Sequence, residues 1–337
     1  MRLLKLVPDN TNIDFMKVRN IALLLSILFT IASIALVAAK GLNLGVDFVG
    51  GQSIRVAFNE APPLDQLRGQ ISGLGLGEAS VQESRGAALP GQTARPEVLI
   101  RLALPEGDEA AASRVATQVR GAIQSSYPGA EVLAVDSVSG RVSGELMKSG
   151  ALSIALAMLG IAIYIWFRFE WQFGVGALVT LAHDVAMTLG FFSLTQLEFN
   201  LNVVAAILTI VGYSLNDTVV IYDRIRENLR KYRKMEIVPL LNLSLNETLS
   251  RTIVTSLSIM LALAMLLIFG PDVIFGLTLA ILLGTFIGTY SSIYISAPIL
   301  VWLGVSGDSF VPNSAPTGAE RVGPRNERRP GGDGAQV

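Results

Sequence analysis

Long uninterrupted runs of apolar residues dominate the chain. Six of these runs are long enough to cross about 30 Å of hydrocarbon as helices, since a helix rises 1.5 Å per residue. In lipid a run of this length must be helical, because only a helix satisfies its own backbone hydrogen bonds. The pattern therefore predicts a polytopic helical membrane protein. We place the six spans at residues 21–39, 149–167, 173–197, 201–222, 252–269 and 273–302.

The first run does not match a cleaved signal peptide. It extends over about 19 uncharged residues, which is longer than the apolar region of a signal peptide. Ala38 and Ala39 could still form a small-residue cleavage site. The length of the run favours a retained first helix.

Lysine and arginine are confined to alternate connections between the spans. The short loops around Glu198 and Asp272 contain neither residue type. By the positive-inside rule, residues 1–20 and the chain beyond residue 304 are cytoplasmic, and residues 40–148 face the periplasm. The basic residues on the cytoplasmic side are Arg2, Lys5, Lys17, Arg19, Arg168, Arg224, Arg226, Arg230, Lys231, Arg233 and Lys234.

Residues 40–148 show the alternation of a small α+β domain. Ile54, Val56 and Phe58 alternate with polar or small residues, as in a half-buried strand. The order of elements is strand, helix, strand, strand, helix, strand, which predicts a ferredoxin-like βαββαβ domain. An irregular α+β domain with one element misplaced is the alternative. The elements are strands at 53–58, 79–83, 98–104 and 131–137, helices at 64–72 and 106–126, and a loop at 86–95.

Composition agrees with a membrane protein and excludes several other classes. Of the 337 residues, 51% are hydrophobic and only 16% are charged, which is too apolar for a soluble globule of this size. A formal net charge of -1 does not by itself indicate a nucleic-acid partner, because such a partner needs a concentrated basic surface. Residues 305–337 are rich in Gly, Pro, Arg and Glu and predict a disordered cytoplasmic tail. Its Arg325, Arg328 and Arg329 could contact lipid headgroups or ribosomes, although a solvated tail explains them more simply.

The chain offers little for catalysis or metal binding. It has no cysteine and a single histidine, His183, so neither a disulfide nor a zinc site is expected. The sequence contains no nucleotide-binding loop and no catalytic triad. We therefore expect neither an enzyme nor a cofactor.

Two carboxylates interrupt the apolar spans. Asp184 follows His183 in the third span, and Asp217 follows Asn216 in the fourth. An acidic residue at this depth costs about 2.5 to 3.5 kcal/mol on insertion scales, so it normally faces the bundle interior and marks an ion path. The alternative is that one carboxylate only ties two helices together by hydrogen bonds.

Helix geometry places Asp217 at the level of an arginine. Asp217 lies sixteen residues after Leu201, about 24 Å along the helix, and Arg251 lies eighteen residues before Phe269, about 27 Å. If the two helices are adjacent and antiparallel, both charges lie at nearly the same depth. Such a carboxylate can alternate between an ion pair and a neutral acid as water access changes, which a proton relay requires.

Further polar residues accompany this pair, and the fourth and fifth spans each carry a polar stripe. The alternative to a relay role is that Arg251 lies near the start of a helix and extends its long side chain to the membrane interface. In the sixth span, Gly284 and Gly288 form a small-xxx-small pattern that permits close helix contact. The stripes consist of Thr209, Tyr213, Asn216 and Asp217 in one helix and Arg251, Thr255 and Ser258 in the other.

Several ordered motifs resemble the SecD/SecF family of the bacterial Sec protein translocase, within the resistance-nodulation-division superfamily. The segment VDFVGG at 46–51 is closer to the SecF branch than to SecD. The stretch 137–146, SVSGRVSGEL, departs from the usual VGP turn and leaves only that turn in doubt. The matching motifs are IDFMKVRN at 13–20, GLNLGVDFVGGQ at 41–52, VSGEL at 142–146, AHDV at 182–185, GYSLNDTVVIYDRIREN at 212–228 and NETLSRTIVTS at 246–256.

The resemblance implies a subunit of the inner membrane that pairs with SecD and associates with SecYEG and often YajC. It implies that the proton motive force, or sodium in some organisms, drives late steps of preprotein translocation. In that family the residues matching Asp217 and Arg251 belong to the proton pathway. We add Asn216 and Asp184 as relay candidates, with His183, Tyr213, Thr255 and Ser258 as accessory residues.

The sequence is also compatible with two other functions. One is a half-sized proton-coupled exporter of lipids or drugs from the same superfamily, which would use the same carboxylate. The other is a non-conducting scaffold for translocon assembly. If the chain is such a scaffold, Asp217 can be replaced without loss of function.

Overall fold

The computed structural model describes residues 8, 11–76, 79–84, 95–103 and 109–305. Six of its helices are long and apolar enough to cross a membrane, which confirms the predicted class of fold. The first span is α1, Arg19–Lys40, entered through a 3₁₀ turn at Phe15–Val18. The remaining spans are built from α5, Gly140–Arg168; α6, Trp171–Thr195; α7, Leu201–Lys231; α8, Ile237–Phe269; α9, Phe275–Ser291; a π-helical segment, Ser292–Ser296; and α10, Ala297–Trp302.

Between α1 and α5 lies the predicted ferredoxin-like domain. Its four strands form one antiparallel sheet in the order β2-β3-β1-β4, with a helix crossing over after β1 and another after β3. This is the order that the alternation of strands and helices predicts. The elements are α2, Val46–Val49; β1, Gly51–Ala57; α3, Leu64–Ser72; β2, Ala79–Ser84; β3, Glu97–Leu102; α4, Glu109–Ser126; and β4, Glu131–Val138.

The core of this domain lies between the sheet and its two longer helices. Ile54 and Val56 project from β1 to the same face, because alternate strand residues share a face. Leu67 and Ile71 are four residues apart in α3 and cover that face. Val119 of α4 is also fully buried against them, so each element contributes its apolar side to one core.

Several helices are longer than the apolar runs that predicted them. Helix α5 begins at Gly140 rather than residue 149, α7 continues to Lys231 rather than 222, and α8 begins at Ile237 rather than 252. Hydropathy marks only the stretch that needs hydrocarbon, whereas a helix continues until its backbone finds another partner. The predicted loop at 86–95 and tail at 305–337 lie outside the described residues, apart from Arg95 and Val305.

Helix α7 is central in the bundle and packs against α5, α6, α8 and α9. Its contact with α9 depends on the two predicted glycines. A Cβ atom at Gly284 would collide with the Ile210 side chain, and one at Gly288 would lie 3.2 Å from Ser214 Cβ. The small-xxx-small pattern therefore permits close helix contact, as predicted.

The α+β domain is held to the bundle through the segment before β1. Backbone hydrogen bonds join Gly45 and Asn43 to Phe199, in the loop between α6 and α7, at 2.9 and 2.8 Å. Gly50 and Gly51 follow with φ values of +79° and +111°, a region that favours glycine. A Cβ atom at Gly51 would also collide with the carbonyl oxygen of Leu102, so this junction needs glycine for two reasons.

Candidate functional site

Asp217 lies in the interior of the bundle, with only 4% of its surface exposed. Thr252 of α8 donates a hydrogen bond to its Oδ1 atom over 3.2 Å. The hydroxyl of Ser292, the first residue of the π-helical segment, lies 3.5 Å from its Oδ2 atom and can donate either to it or to the Thr289 carbonyl oxygen at 3.0 Å. Both partners are neutral hydroxyls, which can donate to a carboxylate or accept from a protonated acid. The surroundings of Asp217 therefore suit either protonation state.

Arg251 precedes Thr252 in α8 and so lies at the level of Asp217, as the helix spacing predicts. The guanidinium attracts the Asp217 charge across space, but no hydrogen bond or salt bridge joins the two side chains. Arg251 is exposed, and its side chain holds no hydrogen bond or salt bridge within the described ranges.

All of the remaining predicted stripe residues except Tyr213 are exposed. Asn216 is exposed, because consecutive helix residues point about 100° apart and Asp217 takes the inward direction. Thr255 and Ser258 are exposed as well, and each hydroxyl bonds a carbonyl four residues earlier in its own helix. The structure thus separates the buried carboxylate from an exposed polar strip. We call Asn216, Arg251, Thr255 and Ser258 the outer polar strip.

Tyr213 connects the outside of the bundle to its interior. Its side chain is half-buried, and its hydroxyl donates to Ser256 Oγ over 3.0 Å. Thr289 of α9 donates to the same oxygen over 2.8 Å. Tyr213 and Ser256 lie about one turn from Asp217 and Thr252, respectively, towards the α+β domain. A short chain of hydroxyls therefore approaches the carboxylate from that side.

Asp184 forms a second buried cluster and is fully shielded from solvent. Its Oδ1 atom lies 2.9 Å from His183 Nδ1. Its Oδ2 atom accepts hydrogen bonds from Ser214 of α7, at 2.5 Å, and from Ser291 of α9, at 3.0 Å. Asp184 thus joins three helices, and His183 is its immediate partner rather than a separate site.

The serines in these two clusters were not predicted from the sequence. Ser and Thr are common in membrane helices, and most bond their own backbone, so residue type alone does not mark the few that reach another helix. One signal was available in the run SSIYISAP at 291–298, where Pro298 lacks the N–H that a regular helix uses. Single-turn π-helices are frequent at functional sites, and this one begins at Ser292.

The site contains carboxylates, hydroxyls, an imidazole and a guanidinium. Within the part of the chain that the structure describes, no three His, Asp or Glu side chains come together as a metal site. Carboxylate and imidazole side chains can exchange a proton and hydroxyls can donate or accept hydrogen bonds beside them, whereas a guanidinium keeps its positive charge.

Comparison with known proteins places the chain among protein export components. Residues 118–306 match the family described as protein export membrane protein SecD/SecF, C-terminal, and residues 35–61 match the SecD/SecF GG motif. A protein translocase subunit SecF from Cereibacter sphaeroides is 44% identical over 90% of this chain and 93% of its own length. The SecF of Pseudomonas aeruginosa is 41% identical over 90% of this chain and 95% of its own.

Among the solved structures that share the fold are two of SecDF. One is SecDF from Thermus thermophilus, described as a translocon-associated membrane protein, which is 32% identical with a TM-score of 0.78 over 89% of this chain. The other is SecDF in a super-membrane-facing form, which is 34% identical with a TM-score of 0.61 over 90% of this chain. This chain spans 40% of the length of either SecDF polypeptide.

Proposed function

The chain belongs to the SecD/SecF family of protein export membrane proteins, and we propose that it couples proton movement through its bundle to preprotein translocation by the Sec machinery. Its relatives are named as translocase subunits, which supports a Sec-associated role in the bacterial inner membrane. The observation that carries the coupling is the buried Asp217: among the described residues its hydrogen-bonding partners are hydroxyls, and Arg251, which forms no salt bridge with any of those residues, lies within electrostatic reach.

The proposed cycle changes the protonation of one carboxylate. When Asp217 is charged, Thr252 and Ser292 donate to it and Arg251 attracts it. When it is protonated, the attraction is lost and Arg251 is released. One elementary charge crossing 100 mV supplies about 2.3 kcal/mol, enough to bias two arrangements of the bundle. Sodium is the alternative coupling ion, and Asp184 is a second candidate for holding the proton.

Protons also need a route to Asp217, and the outer polar strip supports one. Thr255 and Ser258 satisfy their hydroxyls within their own helix, but the exposed Arg251 and Asn216 are unfavourable on a lipid-facing surface, so we infer that another protein covers the strip. We propose that this covering protein is SecD, because this chain matches only 40% of each SecDF polypeptide and the rest of those polypeptides is additional chain. Water at that interface would reach Tyr213 and Arg251. Association with SecYEG, YajC and the preprotein is proposed on the same family relationship.

The chain has no cysteine, so single introduced cysteines can test this interface cleanly. We expect Ser258→Cys to form disulfides with cysteines scanned along the membrane helices of SecD. Ser153→Cys on α5 is the matched control, since it is also exposed and its hydroxyl also bonds a carbonyl four residues earlier. Cross-linking at residue 153 but not at 258 would place SecD elsewhere.

Orientation forms part of the same proposal. The Lys and Arg distribution supports a topology with both termini in the cytoplasm and the α+β domain in the periplasm. A reporter fused after Lys234 should therefore be active on the cytoplasmic side, and one fused after Glu60 on the periplasmic side. The opposite pattern would reverse the direction of the proposed proton path.

A further inference from the structure

A charged cavity lies at the end of the bundle opposite the α+β domain, and we propose that it binds the phosphate of an anionic membrane phospholipid. The cavity opens between the ends of α5 and α7. It holds four cations against two carboxylates, so its charge favours an anion. Its lining consists of Arg168, Asp223, Arg226, Glu227, Arg230 and Lys231.

Part of this lining is rigid. Arg168 Nη2 donates to Asp223 Oδ1 over 2.8 Å, which ties α5 to α7. Arg226 donates to the carbonyl oxygen of Arg168 over 3.0 Å and forms a salt bridge with Glu170 at 3.2 Å. The guanidiniums of Arg168 and Arg226 lie 5.0 and 5.1 Å from the centre of the Phe169 ring. The cavity wall is therefore formed before any ligand enters.

Two cations of the cavity form no salt bridge with the described residues, and we call them uncommitted. Arg230 is exposed, and its side chain has no hydrogen bond or salt bridge among the residues that the structure describes. Lys231 is exposed too, its ammonium lies 4.9 Å from the centre of the Tyr232 ring, and it forms no salt bridge with a carboxylate of the described residues. Both can bind a phosphate without breaking an existing ion pair.

The surroundings favour a lipid over a free phosphate. Arg230 lies 29 residues beyond Leu201, about 44 Å along α7, so it is past the hydrocarbon, and its long side chain can extend back to the headgroups. Trp166, Phe167 and Trp171 border Arg168 in the chain and are 77%, 86% and 58% exposed. Exposed aromatic rings of this kind sit at the boundary between headgroups and acyl chains. A phospholipid can contact the rings and the cations together.

The test uses the purified full chain in detergent and measures retained lipid by native mass spectrometry. Phosphatidylglycerol, phosphatidylcholine and inorganic phosphate are added separately. The variant Arg230→Gln with Lys231→Gln removes both uncommitted cations. The matched control is Arg233→Gln with Lys234→Gln, which removes the same charge from exposed positions just beyond the cavity.

We expect the wild type and the control to retain phosphatidylglycerol in preference to phosphatidylcholine. The cavity variant should bind phosphatidylglycerol roughly 30-fold more weakly, from about fivefold for each cation removed near an anionic group. Equal losses in both variants would show general charge attraction and contradict a defined site. No preference for phosphatidylglycerol in the wild type, or its displacement by millimolar inorganic phosphate, would also contradict the proposal.

Discussion

Ser291 and Ser292 are neighbours in the chain, yet each donates a hydrogen bond to a different buried carboxylate. Ser291 contacts Asp184 at 3.0 Å and Ser292 contacts Asp217 at 3.5 Å. The regular helix ends between them, because the π-helical segment begins at Ser292. The two carboxylate clusters therefore share one short stretch of backbone. A change in the hydrogen bonding of one cluster can shift this backbone and so affect the other cluster.

This relationship predicts different effects for two similar substitutions. Ser292→Ala leaves Asp217 with Thr252 as its hydrogen-bonding partner, whereas Ser291→Ala leaves Asp184 with both His183 and Ser214. Each variant should lose about 0.6 to 1.7 kcal/mol of stability. Gradient-driven translocation should fall about fivefold in Ser292→Ala and change little in Ser291→Ala. A larger loss of translocation in Ser291→Ala than in Ser292→Ala would indicate that Asp184, rather than Asp217, carries the coupling proton.

The close contact of α7 and α9 gives a second prediction. Gly284→Ala puts a methyl group into the Ile210 side chain and should destabilise the protein by about 1 to 3 kcal/mol. Gly160→Ala on α5 is the control, since a Cβ atom there meets no atom within 4 Å. Thermal unfolding in detergent compares the two. Equal melting temperatures of the two variants would show that α9 can move away from α7 without a loss of stability.

The fold was predictable because its causes lie in the local sequence. Apolar runs must be helices in lipid, and residues such as Ile54 and Val56 show their strand face by alternation. Asp217 and Asp184 were predictable because a buried charge is costly. Their hydroxyl partners were not predictable, since Ser292 and Ser258 look alike in sequence and both bond a nearby backbone carbonyl, but only Ser292 also reaches a carboxylate. Chain adjacency also misled, because Asn216 faces away from Asp217.

An ion pair between the α+β domain and the bundle, which the sequence did not indicate, gives a third prediction. Arg101 Nη2 lies 3.0 Å from Glu198 Oε2, and Arg101 also donates to Asn43 and to the Leu44 carbonyl oxygen. Arg101→Gln should therefore destabilise more than Glu198→Gln. In a double-mutant cycle of unfolding free energies, we expect a coupling of about 1 kcal/mol or more, because both side chains are largely buried. Additive effects would show that the pair does not hold the domain.

The roles of the charged residues can be ranked. Arg251→Lys keeps the charge but loses the planar guanidinium that can hold a carboxylate in more than one arrangement, so we expect a partial loss of gradient-driven translocation. Asp184→Asn keeps the shape of a side chain that joins three helices, and we expect a smaller loss. Translocation assays with vesicles of each variant give the order. The reverse order would make Asp184 the principal proton site.

The central claim is that Asp217 carries the coupling proton, and the Asp217→Asn variant tests it most directly. Asn keeps the shape and can bond Thr252 and Ser292, but it cannot titrate. The measurement is gradient-dependent release of a preprotein from vesicles that contain the variant together with SecD. We predict normal insertion and normal binding to SecD with no stimulation by the gradient. Normal stimulation would contradict the proton relay and favour an assembly scaffold.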